Sequence, residues 1–272
     1  MKLLPKAAKK RVNNVVIPGG ALLTLFFLLF PLMVIISTSF TETEYLTFPP
    51  KGFTLKWYRV FLHDPSYVQS LRLSFVLAFF ASLISAVAGT AAALALVRYR
   101  FRGRSILSSL FLSPLVLPQV VIGAGILQLL GIWGLARSFF GLLLAHSVIT
   151  LPYVIRTVAA TLEGYDISLE EAAQDLGAKK LSTFFLITLP LIKAGLIAGI
   201  LFGFIISWIN VEVSMFLTTS VMQPIPVKIF NYVQYNVDPM IAAVSAATIY
   251  LAFTIIVIVD LTVGMEKFSG RR

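Results

Sequence analysis

The sequence predicts an all-α polytopic membrane protein with six transmembrane helices. Three observations carry that prediction. Of 272 residues, 58% are hydrophobic and only 12% charged, where soluble globular chains carry about 25% charged residues. Mean hydropathy is +0.91. The apolar excess is gathered into six long runs, each near the length of about 20 residues that a helix needs to cross the hydrocarbon core. Spans of that total length leave no room for a separate catalytic domain.

The first span is expected over 15–38, behind a basic tail at 1–14 holding Lys2, Lys6, Lys9, Lys10 and Arg11. A cleaved signal peptide is the competing reading. The run is longer than the roughly 7–15 residues of a signal core, and Ser37-Thr38-Ser39 is a weak cleavage site, so it is read as a span. The second span is expected over 70–97, where Gly89, Ala91, Ala92 and Ala93 form a small-residue face for close helix packing. The third, 106–130, contains Pro114, Pro118, Gly123 and Gly125, which predict either a simple kink or a broken helix lining a cavity. The fourth, fifth and sixth are expected over 139–158, 191–212 and 241–262, followed by a tail at 263–272.

Lys and Arg counts set the direction, because cytoplasmic loops carry the excess. The N-terminal tail, the 98–105 loop (Arg98, Arg100, Arg102, Arg104), the 156–193 region (Arg156, Lys179, Lys180, Lys193) and the C-terminal tail (Lys267, Arg271, Arg272) hold sixteen; the other side holds five (Lys51, Lys56, Arg59, Arg137, Lys228), with Arg72 at a boundary. Both termini are therefore expected in the cytoplasm, which an even number of spans also requires. Outside the membrane, 41–69 reads as a turn at Pro49-Pro50 followed by an interfacial amphipathic helix anchored by Trp57, Tyr58 and Phe61. The segment 213–240 reads as Pro-marked turns around a short helix. Either can meet an external partner.

The chemistry concentrates in the cytoplasmic loop 159–190, between the fourth and fifth spans. Ser168 followed by Glu171 is a capping-box pattern, so a helix is expected to start at Ser168. Gly177 supplies a left-handed stop. Between them lie only about two turns, too few to be stable alone in water. Glu171 and Asp175 are four apart and share a face, where like charges cost a few tenths of a kcal/mol. That arrangement makes sense against a basic partner surface, with Ala172 and Ala173 permitting close approach; alternatively the acids favour the helix N-terminus and face water. A second helix, Lys180 to Leu189, is expected to end at Pro190 where the fifth span begins.

Glu171-Ala172-Ala173, then Gly177, then Ile187-Thr188-Leu189-Pro190, resembles the EAA loop of ATP-binding-cassette importer permeases. The resemblance extends to Arg98-Tyr99-Arg100-Phe101-Arg102-Gly103, Ser113-Pro114-Leu115-Val116-Leu117-Pro118 and Leu151-Pro152-Tyr153-Val154. It implies the type I ABC importer permease fold, most like the second permease of spermidine/putrescine and related organic-ion systems. It further implies a coupling helix docked in a cleft of a cytoplasmic ATPase, with Ser168, Glu170, Glu171, Ala172, Ala173, Asp175, Gly177, Leu189 and Pro190 in the coupling region. Glu171 would pair with a basic ATPase residue and Gly177 would make the turn beneath the membrane. The implied partners are two copies of the ATPase, a second, related permease, and an extracytoplasmic solute-binding protein, in a bacterial inner membrane. No Gly-x-x-x-x-Gly-Lys-Ser/Thr loop occurs in this chain, so ATP and Mg are expected on the ATPase, and no catalytic residue or cofactor is expected here.

Polar residues within spans are candidates for the substrate path. Asn210 and Glu212 stand near the end of the fifth span, and two residues that far apart point about 200° apart unless the helix unwinds. Glu212 also suits the water interface, and Asn210 and Trp208 also suit interhelical packing. Polyamine permeases carry acids at the positions of Ile209 and Asn210, so this chain departs from them. Glu212 is one replacement for that charge, and a different small organic ion, amino-acid-like or a phosphonate, is the alternative cargo. Gln128 and His146 complete the set.

Other classes find less support. With no Cys, two His and no His pair within helical reach, disulfide, thiolate-metal and metal-enzyme chemistry have little to work with. A secondary transporter or channel needs intramembrane charge or a pore-lining repeat, and the middles of the spans carry neither. The net charge of +10 clusters beside the spans, as orientation signals do, and not as a nucleic-acid patch.

Overall fold

The computed structural model describes residues 16–263, so the basic tail at 1–14 and residues 264–272 lie outside the described residues. All regular structure among the described residues is helical: α1 (Ile17–Thr38), α2 (Lys56–His63), α3 (Pro65–Arg98), α4 (Arg104–Leu112), α5 (Gln119–Ile132), α6 (Phe139–Glu163), α7 (Ser168–Asp175), α8 (Lys180–Thr183), α9 (Leu189–Ile209), α10 (Ser214–Leu217), α11 (Ile225–Val233) and α12 (Pro239–Val263). Five stretches are long and apolar enough to cross a membrane: α1, α3, α6, Lys180–Ile209 and Pro239–Ile258. A sixth exists if α4 and α5 count as one span.

That pair is bent by 109°, far beyond a simple kink. Pro114 opens a 3-10 turn at Ser113–Leu115, and Pro118 sits in extended backbone (φ −58°, ψ 127°) just before α5. Two prolines four apart remove two amide donors from one helical turn. Pro190 behaves in the opposite way to expectation: it does not end a helix. Residues Phe184–Thr188 form a π-helical turn that runs directly into α9, where Pro190 occupies the first turn. A proline in a helix clashes with the carbonyl four residues earlier, and the wider π turn relieves that crowding.

The chain divides into two compact units. One comprises residues up to Asp64 with Tyr232–Leu251; the other comprises Pro65–Asn231 with the residues from Ala252 onward. In the first unit, α2 is amphipathic, but its aromatic side does not anchor at an interface. Phe61 is 1% and Trp57 8% exposed, so both are core residues. The Trp57 indole N–H donates to the Thr41 carbonyl at 2.9 Å, and the Tyr58 and Ser39 hydroxyls share a 2.7 Å hydrogen bond. Phe40 stacks on Phe53 close by, with centroids 5.0 Å apart. The turn before α2 folds back and gives these aromatics a protein surface to cover.

The second unit is built on the mutual packing of α3, α6 and α9. Its core at one end holds Ala93, Leu96, Val154, Val158, Leu162 and Ile192; at the other it holds Leu77, Leu130, Leu142, Ala145, Val213 and Leu217. Small residues set the helix separation. A Cβ at Gly89 would stand 2.9 Å from the Val154 side chain, and one at Gly199 would stand 2.9 Å from the Val154 backbone. In a membrane, where lipid is as apolar as leucine, such close backbone approach is a main source of helix association.

Candidate functional site

The 159–190 loop holds the coupling candidates, the far end of α9 and the residues just beyond it hold Trp208, Asn210 and Glu212, and Gln128 and His146 lie on α5 and α6, all within the second unit. Helix α7 begins at Ser168 as the spacing predicts, but not through a capping box. Ser168 makes no side-chain cap; its backbone N–H donates instead to Asp166 Oδ1 at 3.0 Å. Asp166 takes the capping role because it lies one residue before the turn, and Asp is as good a cap as Ser.

The stop is a Schellman motif. Gly177 has φ +91°, its N–H donates to the Gln174 carbonyl at 2.9 Å, and the Ala178 N–H donates to the Ala173 carbonyl at 3.0 Å. That pairing satisfies two end carbonyls of a helix only eight residues long, and its positive φ favours glycine. Glu171 and Asp175 are exposed and form no ion pair among the described residues. Ala172 is exposed and Ala173 half-buried. Leu169, 50% exposed, and Leu176, 90% exposed, add apolar surface beside the acids. An acidic ridge flanked by open leucines, on a rigidly terminated helix, is suited to insertion into a groove.

Glu170 faces the other way. Its carboxylate meets the Arg98 guanidinium at 3.3 Å and accepts a hydrogen bond from the Tyr165 hydroxyl, while Arg98 lies over the Tyr165 ring at 4.6 Å. Burial, and then the neighbouring Glu170 carboxylate, hold the Tyr165 phenol above its usual pKa, so it remains a donor. Arg98 and Tyr165 were not legible as site residues: Arg98 is one of four arginines within seven positions. Leu189 packs against the core cluster between α3 and α6, and Pro190 is exposed beside it.

At the opposite end of α9 the helix does unwind. Asn210 leaves helical backbone (φ −70°, ψ 121°). Its side chain is 2% exposed: Oδ1 accepts from the Val213 N–H at 3.1 Å and the Ser214 N–H at 3.3 Å, and Nδ2 donates to Gln119 Oε1. The Ser214 hydroxyl meets His146 Nε2 at 2.9 Å, and His146 Nδ1 meets the Ser207 hydroxyl at 2.7 Å. A continuous polar string, buried except at its half-buried Gln119 end, thus runs from α5 through α10 and α6 to α9. Trp208, 3% exposed, stacks on Phe204 with centroids 6.0 Å apart. Asn210, Trp208 and His146 are therefore interior groups, whereas Glu212 and Gln128 are exposed. Among the described residues no group of three or more His, Cys, Asp or Glu side chains is placed to hold a metal.

Similarity to known proteins agrees with this geometry. A family model described as "binding-protein-dependent transport system inner membrane component" matches residues 85–265. The spermidine/putrescine transport system permease protein PotC of Haemophilus influenzae is 33% identical over 236 residues, covering 86% of this chain and 91% of its own. A solved structure of a bacterial ABC transporter that imports the acidic polysaccharide alginate aligns with a TM-score of 0.73 at 21% identity, covering 99% of this chain and 100% of that one. A second alginate ABC transporter structure, in complex with a pentasaccharide-bound periplasmic protein, aligns at 0.69 and 15% identity, covering 93% and 95%.

Proposed function

This chain belongs to the family of binding-protein-dependent transport system inner membrane components and is an ABC importer permease; from that premise we propose that it forms half of the translocation path for a small, polyamine-like organic ion. The ridge of Glu171 and Asp175 carries the proposal, because exposed like charges on one short, capped helix have no use within the chain. In this reading the ridge docks on a cytoplasmic ATPase present in two copies, which binds ATP and Mg and does all the hydrolysis. A second, homologous permease completes the path, and an extracytoplasmic binding protein delivers the cargo. In the same reading both termini face the cytoplasm of a bacterial inner membrane, which the excess of Lys and Arg on that side supports.

ATPase closure drives the two coupling helices, and each turns its permease between inward-facing and outward-facing states. The Schellman stop makes α7 a stiff lever end. Cationic cargo is supported by the named polyamine relative and by Glu212, whose carboxylate is exposed and makes no ion pair among the described residues. A second reading, an anionic or zwitterionic solute, is favoured by Arg72, which lines a cavity with Gln69 and Val76 and likewise makes no ion pair among the described residues.

Co-purification from the native membrane tests the assembly, with mass spectrometry of what stays bound. ATP hydrolysis is then measured with binding protein and candidate ions. An ATPase and a second permease in the complex, with hydrolysis raised by a polyamine, is the expected result. Stimulation by anionic solutes alone would replace the cargo. A chain that purifies alone and transports without ATP would place it among secondary transporters.

A further inference from the structure

Three elements of the second unit meet at one phenol. Tyr165 sits in the link between α6 and α7, its hydroxyl donating to Glu170 on α7, its ring beneath Arg98 at the end of α3, and its oxygen within the influence of the Thr188 hydroxyl in the π turn. The Arg98 and Glu170 side chains are only 13% and 15% exposed. A pair this largely withdrawn from water is screened less by salt than a surface pair, and removing one partner strands the other. Thr188 is itself 2% exposed. The contact therefore resembles a buried fastening more than a surface ion pair.

We propose that Arg98, Tyr165 and Glu170 are positioning residues that fasten α7 to the cytoplasmic end of α3, so that displacement of the exposed Glu171 face is passed to the second span as well as along the chain into the fifth. This rests on the importer reading above. Without the fastening, α7 is held by two covalent links, the short 164–167 link and the 176–188 stretch, and by packing on the elements of that same stretch, α8 and the π turn. An eight-residue helix cannot hold its own orientation on such links. With it, α7 is tied at a third point by a group that belongs to a different span. The Arg98 guanidinium is not saturated either: Nη2 meets Glu170 Oε1 while Nε is buried with no partner, so it offers one more donor to the same carboxylate if α7 shifts. An Arg–carboxylate pair gains geometric definition when it becomes two-pronged, which gives the fastening a second, tighter arrangement within reach.

The test uses the full complex purified with its partners. Arg98→Glu and Glu170→Arg, separately, are expected to leave the complex assembled, to lower uptake about tenfold, and to uncouple ATP hydrolysis from substrate and binding protein. The two together restore the opposite charges and are expected to recover coupling to within a few-fold of the unmodified chain. Tyr165→Phe keeps the ring under Arg98, loses the hydroxyl, and is expected to lower coupling less than either reversal. Normal coupling in both single variants, or a double variant no better than the worse single, overturns the proposal. If a reversal prevents assembly, Glu170→Gln decides in its place: weakened coupling supports the fastening and normal coupling overturns it. Failure of the importer reading is seen separately, as an unmodified complex without ATP-dependent uptake. In that event Arg98→Cys with Glu170→Cys still reads the contact, because the chain has no other cysteine: a short bismaleimide bridging the two supports it, and no bridging overturns it.

Discussion

Glu171 and Asp175 on α7 stand in the open with no ion pair among the described residues, while His146 and Asn210, near the far end of α9, have both ring nitrogens and both amide ends engaged by neighbours. The contrast follows from the medium. In the apolar interior a polar group without a partner is costly, so the groups that survive there become cross-links between helices, and Gln119, Asn210, Ser214, His146 and Ser207 form one. At the water-facing end an exposed carboxylate costs little, so an acid can stay free for something outside the chain. Polarity thus marks internal architecture in one region and leaves unpaired surface charge in the other.

Breaking the loop should show the larger effect on transport and little on stability. Gly177→Pro removes the N–H that meets the Gln174 carbonyl and cannot adopt φ +91°, so uptake should fall to background while the protein still inserts. Glu171→Ala should also abolish uptake and loosen the ATPase, with the thermal midpoint unchanged. Normal uptake in either variant would mean the loop does not couple.

The buried string should behave in the reverse manner. Asn210→Leu strands Gln119 and two backbone N–H groups and should cost about 2 kcal/mol, read as a lower thermal midpoint in detergent. A smaller loss, about 1 kcal/mol, is expected for Ser207→Ala, which leaves His146 with one partner. An unchanged midpoint in both would mean that the string is not a structural cross-link. At the bottom of the scale lies Lys56→Ala in the first unit, which removes the Lys56–Glu44 pair, 3.4 Å apart and largely exposed. That change should fall within about 0.5 kcal/mol, and its melting curve serves as the reference for the others.

Much of this architecture is legible in the residues. Run length places the long helices, Gly177 marks the turn, and Pro114 with Pro118 mark the break. What stays hidden is whatever depends on a partner distant in sequence. Asn210 and His146 read as lining residues because Gln119 for Asn210, and Ser207 and Ser214 for His146, reach them only after α5, α6 and α9 pack; the Asn210–Gln119 contact joins positions 91 apart, whereas the Val213 and Ser214 N–H groups on Asn210 are local. Trp57 and Phe61 read as interface anchors because nothing local shows that the preceding turn folds over them. Glu170 and Glu171 are adjacent and chemically identical, and only the placement of Arg98 and Tyr165 separates the one that faces inward from the one that faces out. Pro190 reads as a stop because a π turn has no local sequence mark.

The central claim is that ATP hydrolysed elsewhere reaches the transport path through α7. Uptake of a labelled polyamine into proteoliposomes holding the complete complex, with binding protein outside and ATP inside, tests it most directly. The account predicts accumulation that requires both and disappears with Glu171→Ala. Accumulation without ATP, or undiminished by that substitution, would contradict it.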